Sequence, residues 1–134
     1  MKLGLLAQSY WTVYEVCSER EDGVFHHLKL DDKSLHRLAA FIERVAAHGP
    51  EAFPENRSHE VNSDPKIWQF DITGTLRLLY FYDEGRIVIA TRAFVKAGGK
   101  SGQTPRAVVK AAIQDRSDYF AAKQKNSLTY LAEE

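Results

Sequence analysis

Lys66, Arg77, Arg92, Lys96 and Lys100 stand in or beside apolar, strand-like runs, with Tyr80, Tyr82 and Tyr119 as aromatic or hydroxylic company. A cation placed in a strand loses hydration unless it meets an anion, so this pattern points to phosphate chemistry. RNA can be cleaved by its own 2′-hydroxyl attacking the neighbouring phosphorus. A site for that reaction must accept one proton, stabilise a dianionic phosphorane and protonate the leaving oxygen. Arginine, always charged, suits the phosphorane, and a lysine crowded by other cations suits proton transfer. The competing reading is that the same residues border a sheet and keep its edge from aggregating.

The elements that must position these residues follow from periodicity. KIWQFDI, a Thr73-Gly74 turn, LRLLYFYDEG and RIVIATRAFVK form three apolar runs separated by glycine turns, the pattern of a β-meander over 66–96. Side chains four apart in a strand share a face, which predicts Arg92 and Lys96 side by side. Upstream, Trp11 to Cys17 predicts a first strand, and Phe25 to Leu30 stays open between strand and loop. A helix is expected after Asp31, Asp32 and Ser34, with Leu35, Leu38, Ala39, Ile42, Val45 and Ala46 as its apolar stripe, Arg37, Glu43 and Arg44 on its exposed faces, and Gly49-Pro50 as its stop. Residues 51–65 read as a loop holding one short strand near Ser58 to Val61. AGGKSGQ reads as a loop that carries Lys100. A closing helix begins with Thr104 as N-cap and Pro105 as its first residue. Its expected stripe is Val109, Ala112, Ile113, Arg116 and Phe120, with Val108 and Tyr119 at the edges and Arg106 and Lys110 on the flank. Residues 121–134 either extend this helix or fray. Strand, helix, strands, helix is an α+β order, and the length suits one domain over 1–134.

Composition narrows the function classes. With 44% apolar and 27% charged residues in 134, a disordered or collagen-like chain is excluded. The formal net charge is zero, yet nine Lys/Arg face only Asp115 and Asp118 between Arg86 and Lys125, a net +7, whereas Glu15 to Asp64 carries −5. A field so divided attracts a polyanion to one side. The single Cys17 forbids an intramolecular disulfide and reads as a half-buried strand residue. No apolar stretch approaches the roughly 18 residues a membrane span needs, and the first residues turn polar too soon for a signal peptide, so no membrane partner and a cytoplasmic location are expected.

Three familiar motifs fail. GGKSGQ lacks the P-loop glycine five residues before Gly99, where Phe94 stands. No two of the histidines at 26, 27, 36, 48 and 59 share i, i+4 spacing on the helix, and Cys17 has no partner, so no metal or cofactor is expected. Nothing resembles the GxSxG nucleophile elbow.

IWQFDI, LRLLYFYDEGRIVIATRAFVK and TPRAVVKAAIQDRSDYF resemble the RelE/ParE superfamily of type II toxins, nearest its HigB-like, phage-associated branch. In that branch a Trp-containing strand leads into an Arg-x-x-Tyr strand, an apolar strand ending in Phe-x-Lys-Lys, and a Thr-Pro helix start. Residues 66–120 follow that order, and the first 65 share only a strand and helical material. The resemblance implies a RelE-like twisted antiparallel sheet with an N-terminal helical layer and a C-terminal helix packed on it, the helices on one face. It also implies metal-independent cleavage of mRNA in the ribosomal A site, and a helix-turn-helix, HigA-like antitoxin as partner. By position, Arg77 matches the strand arginine and Lys96 the first lysine. The second lysine is Ala97 here, with Lys100 as its substitute, and the residues at Gln69 and Asp71 depart from the usual Glu and Arg. Expected catalytic residues are Arg77, Lys96, Lys100 and Arg92, and expected RNA contacts are Lys66, Tyr82, Arg106, Lys110 and Tyr119. Two alternatives stay open, a ParE-like gyrase-inhibiting toxin and a catalytically inactive phage-related nucleic-acid-binding protein.

Overall fold

The structure, a computed structural model, describes residues 1–96 and 103–132. Its elements are β1 (Lys2–Gln8), β2 (Thr12–Cys17), α1 (Asp32–His48), a 3-10 turn (Pro50–Ala52), β3 (Ser58–Ser63), β4 (Lys66–Asp71), β5 (Leu76–Asp83), β6 (Ile87–Val95), α2 (Arg106–Gln124) and β7 (Thr129–Tyr130). Over the described residues the strands form one seven-stranded sheet in the order β3-β4-β5-β6-β2-β1-β7. The meander β3 to β6 is antiparallel throughout. The sheet as a whole is mixed, a departure from the expected antiparallel one, because β2 runs parallel to β6 and β7 parallel to β1. Residues 25–30 form turn and loop rather than strand.

The helices lie on opposite faces of the sheet, not on one. In β5, Leu78 and Tyr80 join the core under α1 with Leu38, Phe41, Ile42 and Val45, while Leu79 and Phe81 join the core under α2 with Ala112 and Tyr119. Successive side chains of a strand point to opposite faces, so the unbroken run Leu78-Leu79-Tyr80-Phe81 requires apolar cover on both. All four side chains are at most 1% exposed.

Asp31 caps α1 as expected, its Oδ1 accepting from Ser34 N at 2.8 Å. Leu35 is 46% exposed, and the anchor the stripe omitted is Phe41, stacked on Phe53 at 4.5 Å and edge-on to Phe70 at 5.2 Å. Gly49 ends the helix at φ +81, a conformation an L side chain rarely adopts, and a Cβ there would meet the Trp11 indole at 2.5 Å.

In α2 the buried residues are Ala112, Asp115, Tyr119 and Ala122, so the inner face is turned from the expected one. Polar partners on the sheet set that rotation. Asp115 meets Arg92, and Tyr119 meets Asp83. The expected stripe residue Arg116 instead lays its guanidinium 4.9 Å from the Phe120 ring centre. Pro105, not Thr104, is the N-cap and its apolar ring makes no side-chain cap bond, while the expected cap hydroxyl of Thr104 is donated to Gln69 Oε1. Residues 121–124 do extend α2, and the described residues beyond it return to the sheet. Thr129 N donates to Met1 O and Leu131 N to Leu3 O, both at 2.8 Å, which adds β7 to the sheet edge.

One irregularity decides where the cations of β6 point. Leu79 pairs with Arg92 and Tyr80 with Ala90, leaving Thr91 as a bulge residue. Strict alternation from Ile89 would put residues 91, 93 and 95 on the α2 face. The bulge puts Arg92 and Phe94 there instead, with Lys96 next in the row.

Candidate nucleic-acid interface

The β4–β5 turn is held by its own side chains. Thr73 Oγ1 accepts from Leu76 N at 3.0 Å, the short-range bonding that makes threonine a turn residue. Arg77, the second residue of β5, folds back over the turn. Its Nη1 donates to Thr73 O at 2.7 Å and Leu76 O at 3.2 Å, its Nη2 to Gly74 O at 3.2 Å, and its Nε lies 3.1 Å from Asp71 Oδ1 on the facing strand. Three hydrogen bonds to backbone carbonyls and one ion-pair contact thus fix the guanidinium over the turn. Asp71 Oδ1 also accepts from Gln69 Nε2 at 2.7 Å, and Gln69 in turn accepts from Thr104. A continuous polar chain thus ties the start of α2 to the turn. Lys96 N donates to Thr75 O at 2.7 Å, which seats Lys96 beside the same turn, and its ammonium enters no ion pair among the described residues.

Arg77 and Asp71 open onto a groove of about 930 Å³ between α1 and the turn, also lined by Arg37, Arg44, Arg57 and Thr73. Asp71 is the one carboxylate among the described lining residues, against four arginines. Arg57 is fixed by Nε to Asp71 O at 2.7 Å and Nη2 to Ile72 O at 2.9 Å, with its guanidinium 5.4 Å from the centre of Phe41. Arg44 stands 5.1 Å over Phe53. Sequence reasoning left Arg37 and Arg44 as a solvated helix face and passed over Arg57. The available signal was the spacing of Arg37, Ala40 and Arg44, which puts two cations on one helix face with a small residue between them.

The other expected site residues are scattered. Arg92 is half-exposed and grips Asp115 of α2 through Nε at 2.9 Å and Nη2 at 3.2 Å, so its donors serve the helix contact. Burial pushes the Asp115 carboxyl up, and Arg92 opposes that shift without cancelling it. The pair lines a second cavity of about 370 Å³ with His26, His27 and the bulge residue Thr91, whose buried hydroxyl has no partner. Lys66 is exposed at the start of β4, on the α1 face by alternation with Trp68 and Phe70. Tyr82 also faces α1, packed at 6.1 Å from Trp11, 5.9 Å from Trp68 and 5.5 Å from Tyr80, and burial raises the pKa of its hydroxyl. Arg106 and Lys110 are exposed along α2. Tyr119 corrects the expectation of an RNA contact, because it is 2% exposed and donates its hydroxyl to Asp83 Oδ2 at 2.5 Å. Lys100 lies outside the described residues. Arg77, through its side chain, and Lys96, through its backbone, are therefore the two expected catalytic residues anchored at the turn end of the sheet.

No helix among the described residues is long and apolar enough to cross a membrane. No curated protein matches the chain. A family profile described as phage derived protein Gp49-like (DUF891) matches residues 28–117, a span that holds α1, the meander, the arginine groove and much of α2. The chain therefore belongs to the phage-derived Gp49-like family, a RelE-like family associated with toxin–antitoxin systems.

Proposed function

We propose that this protein is the toxin of a type II toxin–antitoxin pair, of the HigB-like branch, that cleaves mRNA in the ribosomal A site and is silenced by a helix-turn-helix antitoxin. The observation that carries the reading is the Arg77 guanidinium, locked beside the Asp71 carboxylate where both line an arginine-rich groove, with the Lys96 backbone bonded to the same turn. A fixed cation needs no reorganisation when negative charge develops, which is how preorganised sites stabilise a phosphorane. In the reaction the 2′-oxygen forms a bond to phosphorus while Asp71 accepts its proton. The bond from phosphorus to the 5′-oxygen then breaks, and that oxygen takes a proton from the Lys96 ammonium. The products are a 2′,3′-cyclic phosphate and a 5′-hydroxyl, and no metal is required.

A second reading, a nucleic-acid-binding protein without cleavage, is favoured by the commitment of most Arg77 donors to backbone carbonyls. Induction of the chain in cells separates the two. Cleavage predicts growth arrest and transcripts cut within coding regions, relieved by Lys96→Ala, a change that removes no bonded group of the fold. Intact transcripts under induction, or cutting undiminished in Lys96→Ala, sink the cleavage reading as drawn.

A further inference from the structure

We infer that the face of the groove formed by Arg37, Arg44 and Arg57 is a phosphate-binding track for the backbone of a single-stranded RNA, continuous with the Asp71–Arg77 site but built on α1 and the turn before β3. The inference rests on the nucleic-acid reading above and adds the surface over which the strand lies. None of these three cations is neutralised by a carboxylate within ion-pair distance among the described residues. Arg44 and Arg57 are held by the rings of Phe53 and Phe41, and Arg57 also by two backbone carbonyls. Aromatic faces and carbonyl dipoles orient a guanidinium while leaving its full charge in place, so the positions are fixed and the field stays positive.

Arg37 and Arg44 stand seven residues apart on α1, about 10 Å along the axis at 1.5 Å per residue, and line the same side of the groove. That spacing lets them take different phosphates of one strand. The floor decides what else can bind. Phe41 is 6% exposed, Phe53 9% and Ile72 3%, so no open ring face is offered for base stacking, and contact falls on the backbone without regard to sequence. The same burial argues against an acidic protein segment, which would find little apolar surface to cover and would gain from charge alone.

The test measures binding of the full chain to a 2′-O-methyl RNA oligonucleotide, which cannot be cut, by fluorescence anisotropy over a range of salt. Losing two phosphate contacts in Arg37→Gln/Arg44→Gln should make the slope of log K against log salt shallower by about 1.4, at about 0.7 per contact on a single strand. Arg37→Lys/Arg44→Lys should restore the slope, since point charges suffice for counterion release. Both residues are exposed and only the Arg44–Phe53 contact is lost among the described residues, so thermal melting should stay within a few degrees of the parent chain and exclude misfolding as the cause. An unchanged slope in the glutamine variant overturns the inference. So does a variant that binds the RNA normally but loses a poly-glutamate peptide, which would make the groove a protein-docking surface. Because the oligonucleotide is uncleavable, slope-dependent binding by a chain that never cuts RNA would retain the track while removing the catalytic reading.

Discussion

Replacing Arg92 with alanine should destabilise the protein rather than disarm it. The Asp115 side chain is 10% exposed and that of Arg92 49%, so the change strands a largely buried carboxylate whose partner was half in water. Breaking a fully buried pair costs about 3–5 kcal/mol and an exposed one about 0–1 kcal/mol, which puts this pair near 2 kcal/mol. For a chain of this length that lowers Tm by about 6–8 °C. The pH dependence has a definite sign. Burial already raises the Asp115 pKa above its unfolded value, so ionising this group costs stability as pH rises through the raised value, and removing Arg92 widens that interval. The deficit of Arg92→Ala should therefore be largest near pH 7 and smaller at a pH below the raised Asp115 value. Adding Asp115→Asn removes the buried charge and should return much of the loss. Thermal melts followed by circular dichroism at the two pH values give all of these quantities. An Arg92→Ala protein that melts like the parent but no longer cuts RNA would refute the reasoning and return Arg92 to the catalytic set.

Tyr119→Phe removes a hydrogen bond to the Asp83 carboxylate, whose side chain is 3% exposed and which Lys123 also contacts at 2.8 Å. Urea denaturation should show a loss of about 1.5–2 kcal/mol, the usual worth of a bond to a charged group, and an unchanged midpoint would contradict the anchoring role. Burial alone would raise the Asp83 pKa, but Lys123 and Tyr119 outweigh it and hold it below the usual range. Stability from this group is thus present above the unfolded carboxylate pKa and lost as pH falls through the lowered one, and Tyr119→Phe should flatten that acid limb. Gly49→Ala places a side chain at φ +81 against the Trp11 indole, and the same denaturation assay should record about 2–3 kcal/mol of lost stability, parental stability being the contrary result.

Much of the meander was legible because its apolar runs and glycine turns are local signals, and α1 because its cap and its stop are written in adjacent residues. β1 was missed, since KLGLLAQ carries no β-branched residue, and its strand state comes from antiparallel pairing with β2. The short β7 was missed because two residues gain strand geometry only from the partner they dock on. The Thr91 bulge leaves no mark on periodicity, yet it sets which face Arg92 takes. Tyr119 was misjudged because the rotation of α2 follows from Asp83 and Arg92, residues distant in sequence. Of the candidate site, Arg77 and Lys96 were named from their strand context and from the family resemblance. The gathering of Arg37, Arg44 and Arg57 around one groove with Asp71 could not, because it joins a helix, a loop and a turn that approach one another only in the folded chain.

Cleavage of ribosome-bound mRNA by the purified chain tests whether Asp71, Arg77 and Lys96 cut RNA through its own 2′-hydroxyl. The account predicts fragments ending in a 2′,3′-cyclic phosphate, abolished both by a single 2′-deoxy substitution at the cut nucleotide and by Asp71→Asn in a folded protein. Cleavage that persists at the deoxy position, or in Asp71→Asn at the parental rate, would contradict it.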